Sequence, residues 1–199
     1  MVKINLNTND ISKKNVAKCF ASTFGYALDI DPTTYSGEIV VKSDENAKHD
    51  GEVITEPIRQ ADIDPSKVYS IAINNIDSNG FATDFRLPYI GKCLNFCYVK
   101  KRPKSDRFSN TNSCAIKVNS SEIFSESELN SIDNFCRMMK LDYGELDCLR
   151  DNNTGKLYIV DVAKTPYEPP NGISNQHKYD AILEMSVAFV KNFLNTPHS

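Results

Sequence analysis

Apolar and polar positions alternate in two periods along this chain, and the change of period marks its elements. Residues 10–24, DISKKNVAKCFASTF, carry Val16, Phe20 and Phe24 at helical spacing, with Asn9 or Asp10 to cap the start and Gly25 to end it. Residues 38–42 and 52–57 read as strands joined by the small polar loop 43–51. Three further extended segments follow at 68–75, 81–90 and 93–101. Residues 125–140 predict a helix that opens on a capping box, Ser125 with Glu128, and turns Leu129, Ile132, Cys136 and Met139 inward. A β-hairpin is expected next, with arms 143–150 and 156–163 around the loop 151–155. A closing helix at about 176–194 buries Ile182, Met185, Phe189 and Phe193, and Thr196-Pro197 ends it.

The hairpin holds the candidate chemistry. Side chains alternate across a strand, so Glu145 and Asp147 share one side of the first arm and Asp161 lies on the second. If the loop closes between Asn152 and Lys156, Asp147 faces Asp161; a loop two residues longer puts Glu145 there. Leu146, Cys148, Val160 and Val162 form the opposite, core-directed side. Like charges across a ladder repel, so something cationic belongs between them. A solvated acidic face is the bland reading. Acids set among apolar residues favour a divalent metal, and an all-oxygen donor set points to Mg²⁺ rather than zinc.

Charged residues make up 25% of the 199 and the net charge is −3, which supplies no bulk argument for nucleic acid. No apolar run approaches the roughly 20 residues of a bilayer span, and the first ten residues lack an apolar signal core, so a cytoplasmic protein is expected. The six cysteines show no metal-type pairing and read as free, buried thiols. Lys42 ends the first strand before the polar loop, an arrangement that can face an anion with backbone N–H groups and an ammonium, although no Walker pattern is present. Asp84 and Arg86 share a face of the 81–90 strand. Lys100, Lys101 and Arg102 end the next one, with Arg107, Asn110 and Asn112 beyond. Cations beside a carboxylate hairpin are what a polyphosphate–metal complex requires.

The segments IVVKSDENAKHDG, VYSIAINNID, DFRLPYIG, VKKRP, GELDCLRD and YIVDVAKTP, in that order from about residue 36 to 172, resemble the ATP-grasp fold. The resemblance implies an α+β architecture of two lobes, with mainly antiparallel sheets enclosing a nucleotide cleft. Residues 1–66 would be a small nucleotide-binding lobe with a mobile phosphate loop, and 67–199 a large lobe with an adenine hinge and a metal-binding hairpin. It further implies that Lys42 contacts the ATP phosphates while Ser43, Asn46, His49 and Gly51 close over them. Ser70, Ile71 and Ile73 would read adenine, with Asn74 or Asn75 near the ribose. Arg86 and Lys100, Lys101 or Arg102 would stabilise the transferring phosphoryl group, and Asp147 and Asp161 would hold Mg²⁺. Acids would gather at one wall of the cleft and cations at the other.

Two departures stand out. The family pattern D/E-x-N has Ala163 in its last place, and a methyl group cannot coordinate metal. The chain also begins almost directly at the small lobe, so a minimal acceptor site is expected, or one completed by a partner subunit, a homodimer or a further segment. The implied activity is an ATP- and Mg-dependent ligase that activates a carboxylate as an acyl phosphate for capture by an amine. Its acceptor would be a small molecule or peptide, with no nucleic acid or membrane partner. A small-molecule kinase and a regulatory ATP-binding pseudoenzyme are the alternatives.

Overall fold

Two antiparallel sheets divide the strands of the chain in a computed structural model that describes residues 2–45, 48, 50–109, 111–166 and 169–195. The smaller sheet has the order β2-β1-β3, from β1 (Ile39–Ser43), β2 (Glu52–Ile54) and β3 (Lys67–Ile71). The larger has the order β6-β5-β4-β7-β8, from β4 (Phe81–Ile90), β5 (Phe96–Pro103), β6 (Cys114–Asn119), β7 (Tyr143–Arg150) and β8 (Leu157–Ala163). The architecture is α+β with mainly antiparallel pairing, as the sequence implies.

Period-2 alternation gives the larger sheet two unlike faces. Its back face presents Leu87, Tyr89, Cys97, Leu146, Cys148, Ile159 and Val162, all buried. Two helices cover them, α1 (Lys13–Phe24) and α3 (Glu126–Met138), which bring Val16, Phe20, Ile132, Phe135 and Cys136 to the main core. The capping box forms as expected, with Ser125 and Glu128 each satisfying a backbone N–H of the other. At α1 the cap is Ser12 rather than Asn9 or Asp10: its side chain accepts from the N–H of Asn15, while Asp10 accepts from the N–H of Ser12. Gly25 ends that helix in the left-handed region, φ 76°.

The front face is split. At one end Ile90, Phe96 and Tyr98 form a second apolar cluster under α4 (Asn175–Phe189), which buries Ala181 and packs Met185 and Phe189 against it, with Phe193 of the wider turn Val190–Leu194 that follows. Ile182, expected inside, is 46% exposed, because Ala181 takes the inward position one residue earlier. The other end is charged, and over it lies the smaller sheet.

Several boundaries differ from the sequence expectation. Strand β2 stops at Ile54, and β6 with the short helix α2 (Ser120–Ile123) was not anticipated, since CAIKVN alternates only weakly. Cys114 opens β6 and is exposed rather than buried; all six cysteines are free. A division at 66/67 passes between hydrogen-bonded strands, because β3 pairs with β1 from Ser43↔Lys67 to Ile39↔Ile71. Sheet membership changes after β3, and α1 packs with the large sheet's core. No helix among the described residues is long and apolar enough to cross a membrane. Asn46, His49, Asn110 and Thr196-Pro197 lie outside the described residues.

Gly144 on β7 shows how tightly the sheet is closed beside the hairpin. A Cβ there meets the carbonyl oxygen of Ala163 and, at 3.1 Å, the side chain of Leu141. Gly144→Ala should therefore lower stability by about 2 kcal/mol through overpacking. Urea unfolding would show this as a fall in midpoint with an unchanged slope, and an unaltered midpoint would contradict the packing.

Candidate active site

The loop closes on neither expected register, since Arg150 pairs with Leu157 and the Asp151 N–H donates to Lys156, yet farther along the arms Asp147 faces Asp161 and Glu145 faces Ala163. A bulge follows, because Cys148 pairs with Ile159 and leaves Val160 unpaired between them. The extra residue reverses the expected facing of Ile159 and Val160, while Asp161 and Val162 keep theirs. Ile159 enters the core, fully buried, and Val160 turns to the front, correcting the assignment of Val160 to the core.

On the front face β5, β4, β7 and β8 align their charges in rows. Asp84 pairs with Lys100 across the β4–β5 ladder, and Arg86 with Asp147 across the β4–β7 ladder. Arg86 grips Asp147 with both prongs, Nε to Oδ1 at 2.9 Å and Nη2 to Oδ2 at 3.0 Å. Lys100 Nζ donates to the same Oδ1 at 2.9 Å, and Arg86 Nη1 lies 3.5 Å from Glu145. Arg102 donates to Asp84 at 2.6 Å, to Asn112 and to the carbonyl of Ser109. Acids and bases thus interleave on a single wall instead of occupying opposite walls. The cation demanded by the Asp147–Asp161 pair is supplied first by the protein.

Burial would push the Asp147 carboxyl up, but Lys100 and Arg86 more than offset it and hold it well below the usual carboxylate range. Asp161 behaves oppositely: burial and then the Asp147 charge push it up. Its Oδ1 is buried and accepts no hydrogen bond among the described residues. Burial pushes the Lys42 ammonium down, with Asp161 opposing that shift most.

Lys42 on β1 and Lys48, Asp50 and Gly51 of the following loop meet this wall across a cleft of about 670 Å³. Gly51 lies against the Phe108 ring, which would stand 2.6 Å from a Cβ added there. Among the described residues the cleft lining holds eight lysine and arginine side chains against five acids, a net positive set although the whole chain is −3. Ile11, Leu149 and Val160 add an apolar patch.

Of the expected residues, Lys42, Gly51, Arg86, Lys100, Arg102, Asp147 and Asp161 line one cleft. Lys101 points elsewhere, to Asp77 at 2.8 Å. The Ser70–Asn74 segment is outside the lining. Ser70 is in the ladder with Val40, the Ile71 N–H donates to Leu28, Ile73 is core, and Asn74 binds the hairpin loop at Asn152 and Asn153. Ser43 is also outside, its N–H donating to Asp50. Asn75 does reach the cleft, held by Thr83 and Asp84. Sequence reasoning missed Lys13, Lys164 and Phe108 as lining residues, and Val160 because a bulge leaves no mark in a period-2 pattern.

For a magnesium ion the donor set is small but usable. Asp161 Oδ1 is the orphaned oxygen, Asp147 stands opposite it with its oxygens engaged by Arg86 and Lys100, and Ala163 contributes nothing. Mg²⁺ commonly takes one or two carboxylates and completes its shell with water and phosphate oxygens. The residues present fit that mode.

No family model matches the sequence, and no curated protein does. Solved structures do match. The D-cycloserine synthetase DcsG aligns with a TM-score of 0.56 and 11% identity, over 91% of this chain and 69% of that one. The macrocyclase MdnC, bound with precursor peptide MdnA from Microcystis aeruginosa MRC, gives 0.53 and 13%, over 92% and 60%. The ATP-grasp ligase PsnB, complexed with a phosphomimetic variant of minimal precursor, Mg and ADP, gives 0.51 and 11%, over 88% and 59%. The chain therefore spans about three fifths of the length of MdnC and PsnB.

The two carboxylates predict substitutions of opposite sign. Asp147→Asn should destabilise the ligand-free protein by about 3 kcal/mol, because Arg86 and Lys100 lose their counter-charge in a buried site. Asp161→Asn should raise the melting temperature at pH 7, because it removes a buried charge that the fold disfavours. The signs follow from linkage. Asp147, with its folded pKa depressed, stabilises above its unfolded value of about 3.9 and loses this as pH falls. Asp161, with its folded pKa raised, costs stability at neutral pH, and the cost fades on acidification. Thermal melts between pH 2 and 8 test this, and a loss of stability in both variants at pH 7 would contradict it. Sheet order, the acid-bearing hairpin and the likeness to these solved structures together show that the chain has the ATP-grasp fold.

Proposed function

We propose that the chain binds ATP with Mg²⁺ in this cleft and acts as an ATP-dependent ligase. A substrate carboxylate would attack the γ-phosphate to give an acyl phosphate, which an amine or similar nucleophile captures. The observation that carries the reading is the excess of cations in a cleft that also holds one orphaned carboxylate oxygen, in a chain whose net charge is negative. A triphosphate needs the cations and its metal needs the carboxylate.

In this reading Lys42, Lys48 and the backbone at Gly51 face the phosphates. Arg86, Lys100 and Arg102 meet charge developing on the transferred group, fixed in place beforehand by Asp147 and Asp84, which lowers the cost of reorganisation. Asp161, with Asp147 opposite, would hold Mg²⁺, which supplies Lewis-acid charge neutralisation when bound. The apolar patch of Ile11, Leu149 and Val160 suits the face of a base, a role first expected of residues 70–74. The acceptor is a small molecule or peptide, in line with the precursor peptides named for MdnC and PsnB.

Ala163 and the engagement of both Asp147 oxygens favour a second reading, an ATP-binding pseudoenzyme that regulates a partner. A kinase on the same scaffold would differ only in leaving a stable phosphorylated product.

ATP with Mg²⁺ at a hundredfold excess over Kd should stabilise the native state by about 2.7 kcal/mol, a rise of roughly 5–10 °C for a chain of this size. Lys42→Ala should reduce the rise and Asp161→Ala its magnesium dependence; an unchanged rise in both would overturn the assignment. ADP release appearing only after Ala163→Asn would mark a damaged catalyst, and none in either form would favour the pseudoenzyme.

A further inference from the structure

The outer surface of α4 is apolar where solvent is expected. Tyr179, Leu183, Val187, Val190 and Leu194 are 42–67% exposed. They recur at steps of four, four, three and four residues, a seam about 20 Å long that faces away from the cluster buried by Ala181 and Met185. At about 100° per residue the first four fall within a sector of about 80°, and the wider turn at Val190–Leu194 keeps Leu194 in line. A monomer rarely leaves so continuous a stripe on one element.

The charges beside the stripe indicate what covers it. Asp180 and Glu184 lie on one flank in the N-terminal half, and Lys191 lies on that same flank in the C-terminal half. The other flank carries Ile182 and Ser186, without charge. When two helices pack antiparallel about a two-fold axis, each flank meets the same flank of its copy; in a parallel pair it meets the opposite one. Only the antiparallel arrangement brings Lys191 to the acids. A two-fold axis at Val187 also sets Val187 against itself, Leu183 against Val190 and Tyr179 against Leu194, while Glu184 falls beside Lys191. Glu184 already pairs with Lys117 at 2.5 Å, which fixes its carboxylate at the edge of the stripe.

We propose that the occupant is a second copy of this chain, docked isologously through α4 with the axis at Val187. The stripe lies at the end of the front face opposite the charged cleft, so the dimer leaves the cleft open and does not depend on the nucleotide reading. Light scattering on the full chain should give twice the monomer mass. Leu183→Glu and Val187→Glu should each abolish the dimer while keeping the native circular dichroism and a cooperative melt. Lys191→Glu should weaken it, and adding Glu184→Lys should recover it.

A disulfide test is independent of folding losses. In a Cys114→Ser background, Val187→Cys should cross-link to its own copy under mild oxidant, whereas Tyr179→Cys should not. A monomer at about 100 µM would overturn the proposal, since that is a hundredfold above a micromolar Kd. A dimer indifferent to Val187→Glu, or cross-linking at Tyr179→Cys and not Val187→Cys, would overturn it as well.

Discussion

Arg86, Asp147 and Lys100 come from three adjacent strands, β4, β7 and β5, and meet within 3.0 Å at the middle of the larger sheet. Removing any one leaves the others charged where Lys100 is only 3% exposed. Such a cluster cannot be covered by an apolar helix, as the other end of the same face is by α4. That half of the sheet must stay under polar cover, and Lys42 of the smaller sheet with Lys48, Asp50 and Gly51 provides it while leaving a cleft. The fold's open space is thus a consequence of where the ions sit.

The internal pairing also sets what remains for a ligand. Asp147 is neutralised by Arg86 and Lys100, and Asp84 by Arg102, yet Lys42, Lys13, Lys48, Arg107 and Lys164 also line the cleft, and positive charge is left over. In the proposed reading, phosphates would satisfy that excess without disturbing the buried pairs. Burial and then the Asp147 charge raise the Asp161 carboxyl, and a bound cation would oppose both.

Much of this was legible in the chain because the signals were local. The limits of β4 and the capping box at Ser125 follow from spacing within a few residues, whereas the facing of Asp147 and Asp161 also needs the bulge at Val160. What was hidden depends on neighbours distant in sequence. Nothing near Asp147 announces that β4 and β5 lie beside it with Arg86 and Lys100 in register. The Val160 bulge inverts two side chains without changing composition. Resemblance alone assigns Ser70–Asn74 to the nucleotide, yet its backbone groups are used by β1, Leu28 and the hairpin loop.

Calorimetric titration of ATP in the presence of Mg²⁺, repeated at low and high salt, tests most directly whether the surplus of cations is a phosphate site. The account predicts one site per chain, with binding that weakens as salt screens the cleft. Absence of heat for adenine nucleotides under every cation condition, or an affinity indifferent to salt, would contradict it.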